Sequence, residues 1–263
     1  MSRVRVSTPR WSRTLCGTWL PLLGFAGWEV LSRSKTYSYG FVPPWALARS
    51  LLEVVESGAL PSSLLATMNR MLLALGLGAP AGVLLGTALG ASRLLDRAIG
   101  PFFHAVRQVP YLGLAPLMGL WFGTGDVAKL VLVFLTVLYP VVLNLYQGVR
   151  SIDPRYIEVA RVLKLPKREV LVRLIFPAVG PHFYSALSQA IPFAWIATVG
   201  SELLLPSGRG IGTMMQSAEA GGRLDVLLVC TLSVAAASLA LDRLLVRVGR
   251  RLMRWRDDGW SHA

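Results

Sequence analysis

Polar and apolar positions are sorted along this chain into blocks much longer than a helical turn. Apolar runs occupy residues 15–31, 63–90, 98–122, 130–148, 178–205 and 224–246, and a polar island of 28 residues, 150–177, interrupts them. Roughly 20 apolar residues of helix cross the ~30 Å hydrocarbon core of a bilayer, so the pattern predicts six membrane-spanning helices. Residues 1–13 carry Arg3, Arg5, Arg10 and Arg13 ahead of the first run. No small-x-small cleavage site follows that run, and Trp28 and Glu29 suit an interface, so the run reads as a retained span and not a cleaved signal. Between the first two runs, Trp45, Leu47, Leu51, Leu52, Val54 and Val55 lie between Pro44 and Gly58. Their spacing predicts a short amphipathic helix on the outer face.

Within the second run, Gly78, Gly82, Gly86 and Gly90 recur every four residues. Four residues advance about 400° around a helix, so these glycines form a slowly drifting ridge against which another helix can pack closely. SRLLDR, residues 92–97, reads as a short charged turn. The third run is interrupted by Gln108, Pro110 and Pro116, the fourth contains Pro140, and the fifth contains Pro192, Trp195 and Glu202. Proline removes a helix donor, which a membrane span tolerates where the freed carbonyl faces protein or a cavity. Residues 206–222 read as a Gly-rich loop.

The island holds seven of the 27 Lys and Arg against only Asp153, Glu158 and Glu169. Asp153 can cap a helix with Pro154 in its first turn, and Pro166 is placed to open a second, which predicts helix, sharp turn, helix on a membrane surface. On the first helix Glu158, Arg161 and Lys164 are expected to be exposed, with Ile157, Ala160 and Leu163 available for packing.

Composition sharpens this picture. With 54% hydrophobic and 16% charged residues and a mean hydropathy of +0.54, the chain is too apolar for a soluble domain of its length. The net charge of +13 does not point to nucleic acid, because the basic residues flank apolar runs, where anionic headgroups account for them. Counted by side, 19 Lys and Arg fall with the two termini and the island and seven on the opposite side, with Arg107 inside the third run. The positive-inside bias makes the island and both termini cytoplasmic.

Little in the chain suggests catalysis. It has no G-x-x-x-x-G-K-[ST] and no G-x-S-x-G. His104, His182 and His262 are too scattered for a metal site, and Cys16 and Cys230 read as small buried hydrophobes. Glu202 is the most informative acid. Placed 24 residues after Ala178, it falls near the outer end of the fifth span, where an intramembrane acid faces a cavity, a partner or nearby backbone. Arg70 lies at a similar depth and can pair with it.

The island resembles the cytoplasmic loop of binding-protein-dependent ATP-binding-cassette (ABC) importer permeases, whose pattern is E-A-A, three residues, Gly, nine residues, I-x-L-P. Here it reads Glu158-Val159-Ala160, Lys164 at the glycine position, and Leu174-Ile175-Phe176-Pro177. Glycine would supply a positive φ without steric cost, whereas Lys164 must accept roughly 1 kcal/mol or change the turn. The resemblance extends over residues 40–256 and is nearest the nitrate, sulfonate and taurine branch. It is carried by SRLLDR (92–97), by Arg107-Gln108-Val109-Pro110, by LAPL (114–117) and LWFG (120–123), by Tyr139-Pro140 with Asn144, Gly148 and Arg150, by Trp195 with Glu202, and by Gly210-Ile211-Gly212.

What the resemblance implies is an all-α, six-helix type I importer permease fold with a cytoplasmic coupling helix. Residues 1–61 would be the tail, first span and outer amphipathic segment, 62–256 the permease domain and 257–263 a C-terminal tail. The expected partners are a cytoplasmic ABC ATPase dimer, a periplasmic or extracellular solute-binding protein, a second permease copy as a homodimer, and membrane lipid. ATP and Mg would sit on the ATPase, and no cofactor on this chain. Tyr156, Glu158, Val159, Ala160, Arg161, Leu163, Lys164 and Pro177 are the expected ATPase-coupling loop. Gln108, Pro110, Asn144, Trp195 and Glu202 are candidates for the path or gate, although Gln108, Asn144, Gln147 and Gln189 also suit hydrogen bonds between helices. The solute would be a small anion such as nitrate, a sulfonate or taurine, though related permeases carry neutral heterocycles. A stand-alone secondary transporter or channel is the rival. The basic loop and the lack of inverted repeats with paired broken helices speak against it.

Overall fold

A long apolar segment in lipid has no water to satisfy its backbone, so it must satisfy itself as helix. The computed structural model bears this out. It describes residues 23–24, 27–30, 32 and 42–252, so of the expected first span, 15–31, residues 15–22, 25–26 and 31 lie outside them. Among the described residues the regular structure is helical: α1 (Pro44–Glu56), α2 (Ala59–Ala91), α3 (Arg93–Val106), a 3₁₀ turn (Tyr111–Leu114), α4 (Ala115–Phe122), α5 (Asp126–Arg150), α6 (Pro154–Val162), α7 (Phe176–Leu204), α8 (Ile211–Ala220) and α9 (Leu224–Leu252). Among the described residues four helices are long and apolar enough to cross a membrane: Ala59–Ala91, Asp126–Arg150, Val170–Leu204 and Leu224–Gly249.

The centre of the molecule is α2 on α5 on α7. The glycine ridge of α2 makes the first contact possible. A β-carbon built on Gly82 would stand 2.7 Å from Val141 Cβ, and one on Gly86 would stand 2.6 Å from the Val142 carbonyl oxygen. Gly78 and Gly90 meet Val137 and Val149 in the same way. The ridge is therefore used inside one chain, where it lets two backbones approach to van der Waals distance. Behind it Met71, Ala74, Val133, Val137, Ala190 and Trp195 form the main apolar cluster.

Four sequence expectations need correction. The charged turn at 92–97 is reduced to Ser92, whose hydroxyl accepts from the Leu95 N–H (3.3 Å) and starts α3 at Arg93. The third run is not one span: helix stops at Val106, and the chain continues through Pro110 and the 3₁₀ turn into α4. Proline at 110 lacks the N–H that a continuous helix needs there. The fifth span does not begin near Ala178. Lys167–Glu169 opens a helix and Val170–Ile175 forms a π-helical turn that runs into α7, so residues 170–177 of the polar island belong to that span. The expected Gly-rich loop at 206–222 also contains a helix, α8.

The amphipathic helix is present as α1, with Pro44 in its first turn. Val54 is buried against Leu60, Ile211 and Val226, while Trp45 and Leu52 remain exposed. Polar contacts bind it to the start of α9: Arg223 forks both oxygens of Glu53 (2.8 and 2.9 Å) and also reaches Asp225 (2.8 Å), to which Ser50 donates. The Arg223 guanidinium holds the Glu53 carboxyl below its ordinary 4.5.

Candidate functional site

Two sites lie at opposite ends of the bundle. The loop end carries α6. Its start is fixed by the Asp153 side chain, which accepts from the Arg155 N–H at 2.9 Å, with Pro154 in the first turn. Its end is a Schellman closure: Leu165 N–H donates to the Ala160 carbonyl and Lys164 N–H to the Arg161 carbonyl, both at 3.0 Å. That geometry requires a left-handed residue, and Lys164 takes it with φ 51°, the one positive-φ non-glycine among the described residues. The lysine thus accepts the strain, and the glycine-type turn is kept.

The faces of α6 differ from the sequence expectation. Ala160 is buried and turned toward its own chain, whereas Leu163, expected to pack, is exposed. Tyr156, Val159, Val162 (80% exposed) and Leu163 present apolar surface, flanked by exposed Glu158, Arg161 and Lys164. Val162 was missed because its position reads as a helix C-terminus and not as a face. Pro177, also exposed, stands in the first turn of α7. On either side of the loop Ile152 and Ile175 pack on the main apolar cluster, so α6 is joined to the core at both ends.

At the far end is a buried ionic network. Glu202, completely buried, pairs with Arg70 and accepts from Thr67 Oγ1 at 3.0 Å and from the Gly212 N–H at 2.8 Å. Thr67 Oγ1 in turn accepts from the Ile211 N–H at 2.9 Å. The first amides of α8 therefore end on a carboxylate supplied by α7 and a hydroxyl supplied by α2, a favourable place for negative charge. Arg70 also reaches Asp126 (2.5 and 3.2 Å) at the start of α5. Lys129, likewise wholly buried, donates to the Ser207 carbonyl at 2.5 Å. Ser207 donates to the Thr124 carbonyl. Two cations and two acids from three helices thus clamp residues 207–212 across the far end. Beside them a cavity of about 390 Å³ is lined by Asn69, Arg70, Asp126, Leu130 and Arg209 among others.

Depth alone marked Arg70 as a candidate partner for Glu202, and the fold brings the two into contact. Thr67, Asp126, Lys129 and Gly212 were missed as members. The signal available for two of them was the pair of charges opening an otherwise apolar span at 126 and 129.

The other candidates are dispersed. Asn144 bridges α5 to α7 by donating to Gln189 (3.4 Å) and also bonds the Pro140 carbonyl (2.8 Å). Gln108 and Pro110 are exposed at the break after α3. Trp195 is buried, 3% exposed, and its indole N–H finds no partner among the described residues. The structure does not bring these four into one pocket with Glu202. No group of acids, histidines and cysteines suited to a metal occurs among the described residues.

Comparison with known proteins agrees with this architecture. The profile of the family described as binding-protein-dependent transport system inner membrane component matches residues 78–254. The nitrate import permease protein of Synechococcus elongatus is 32% identical over 197 residues, covering 74% of this chain and 70% of that protein. The taurine transport system permease protein of Escherichia coli is 30% identical over 233 residues, covering 87% and 84%. The bicarbonate transport system permease protein of S. elongatus is 27% identical over 258 residues, covering 93% of each. Four apolar crossings and these relatives make it a multi-pass membrane protein and displace the stand-alone transporter reading. With the profile covering two thirds of its length, the chain belongs to the family of binding-protein-dependent transport system inner membrane components, the permeases of ABC importers, on the branch that includes nitrate and taurine permeases.

Proposed function

We propose that this permease imports a small anion across the cytoplasmic membrane, driven by an ABC ATPase that docks on α6. The observation that carries the docking reading is the apolar face of α6. Tyr156, Val159, Val162 and Leu163 are exposed on a helix capped at both ends and tied to the core through Ile152 and Ile175. A free polar loop has no need of such order, whereas a helix laid into a groove uses an apolar face with charged edges. Glu158, Arg161 and Lys164 supply those edges. ATP and Mg belong to the ATPase, and this chain holds no cofactor.

The anion reading rests on the relatives, named for nitrate, taurine and bicarbonate. A solute-binding protein delivers the anion at the far end, where residues 207–212 and the Arg70–Glu202 network close the bundle. The path forms with a second copy, and the charge asymmetry puts the loop end and both termini in the cytoplasm.

The test is reconstitution of the permease with its ATPase and binding protein in proteoliposomes. Nitrate, taurine, sulfonates and bicarbonate are offered in turn. ATP-dependent uptake of one of them is expected, and uptake by permease alone would overturn the reading. Val162→Asp is expected to release the ATPase while leaving membrane insertion intact. Ala160→Trp is a poorer probe, because Ala160 is buried within the loop itself. Cysteines at Arg168 and Arg209 are expected to label from opposite faces of the membrane.

A further inference from the structure

The break after α3 leaves that helix weakly attached, and how it is attached is informative. Its backbone does not pack closely on α5. Contact runs instead through a ladder of side chains. Arg107 donates to Tyr139 Oη at 2.6 Å and lies over its ring, Phe103 stacks on the same ring at 5.6 Å, and His104 meets Tyr146 edge-on at 6.5 Å. At the loop end the ladder closes on Arg150, which lies 5.3 Å over Tyr146 and pairs with Asp96 in the first turn of α3. A narrow cavity lined by Leu89, Asp96, Gly100, His104 and Val142, among others, separates the two helices here. The outer face of α3 is open, with Leu94 and Phe102 exposed.

Arg150 is the last residue of α5, and the Asp153 cap of α6 follows three positions later. A displacement of α6 therefore reaches Arg150 before any other charged side chain on α5. Asp96 is the acid that Arg150 holds, and it belongs to the element that is broken at Pro110. We propose that Asp96 and Arg150 are positioning residues for transport: the pair tethers α3 to the coupling loop, so that movement of α6 swings α3 about the break at residues 107–110. The inference rests on the reading of α6 as the ATPase-coupling helix. The pair is partly exposed, 25% at Asp96 and 43% at Arg150, and a pair so placed adds little to stability. Its effect lies in linking the motions of two elements, and a link between motions can be lost while the protein stays folded.

The experiment uses the full complex with ATPase and binding protein in proteoliposomes, measuring anion taken up per ATP hydrolysed. Asp96→Asn and Arg150→Gln are each expected to lower that ratio at least tenfold, with ATPase association and melting temperature unchanged. The exchange Asp96→Arg with Arg150→Asp is expected to recover at least half of it. A merely structural role would move melting temperature and not the ratio. A ratio within twofold of wild type in both single variants would overturn the proposal, as would single variants that lose the ratio but are not rescued by a folded exchange variant. Failure of the docking reading is seen separately, as a wild-type complex in which the ATPase does not associate.

Discussion

Replacing Glu202 by Gln tests the far-end network with almost no change of volume. The wild-type carboxylate accepts from Arg70, Thr67 and the Gly212 amide and has no exposed surface. Gln offers one oxygen, enough for Thr67 and Gly212, but the amide nitrogen that replaces the other oxygen cannot accept from Arg70, and the group carries no charge. Arg70 is then left with Asp126, whose side chain is 76% exposed, and wholly buried Lys129 loses a nearby acid while keeping its hydrogen bond to the Ser207 carbonyl. Removing one partner of a buried pair costs about 3–5 kcal/mol, because the other charge remains desolvated. For a chain of this size each kcal/mol is worth roughly 2–4 °C. Glu202→Gln should therefore melt at least about 6 °C below wild type, read by tryptophan fluorescence of the purified permease in detergent. Arg70→Met should cost less in the Glu202→Gln background than alone, since the pair is already broken. A Glu202→Gln melting temperature within about 2 °C of wild type would refute the reasoning and leave Glu202 as an acid paired only in passing.

Other consequences can be measured on the same material. Gly82→Ala and Gly86→Ala should differ: the first meets the Val141 β- and γ-carbons and should cost less in a Val141→Gly background than alone, whereas the second meets the Val142 carbonyl and keeps its cost there. Overpacking costs about 1–3 kcal/mol, so thermal melts of the two single variants, of Val141→Gly and of each glycine variant in that background give the answer. Lys164→Gly should leave the turn after α6 intact, while Lys164→Val should disturb it by more than about 1 kcal/mol, since a β-branched residue resists a positive φ. Limited proteolysis of the loop reads both. Glu53 has its carboxyl held down by Arg223, so its contribution is complete above the ordinary 4.5 and is lost as pH falls through the lower folded value. Labelling of a cysteine placed at Leu47 should rise as pH falls below that point in wild type, and be high at every pH in Arg223→Gln.

The division between what the chain announces and what only folding decides follows from the range of the forces involved. The second, fourth and sixth spans, the amphipathic α1, the cap at Asp153 and a sharp turn between the two island helices were legible because each depends on residues within a few positions of one another. Local hydrogen bonding and the 3.6-residue period are written directly in the sequence. Even here the interrupted third crossing and the π-helical entry to α7 escaped, since periodicity does not report where a helix is cut or widened. Contacts between distant residues were harder. The glycine spacing predicted a packing ridge, but only the fold showed that α5 of the same chain fills it. Glu202 and Arg70 were marked by the cost of charge in an apolar span, yet the desolvated cluster with Lys129, Asp126 and the amides of α8 needed three helices brought together. The inward turn of Ala160 and the exposure of Val162 and Leu163 likewise depend on how α6 leans on its own chain, because a helix of nine residues has two plausible faces and tertiary packing selects between them.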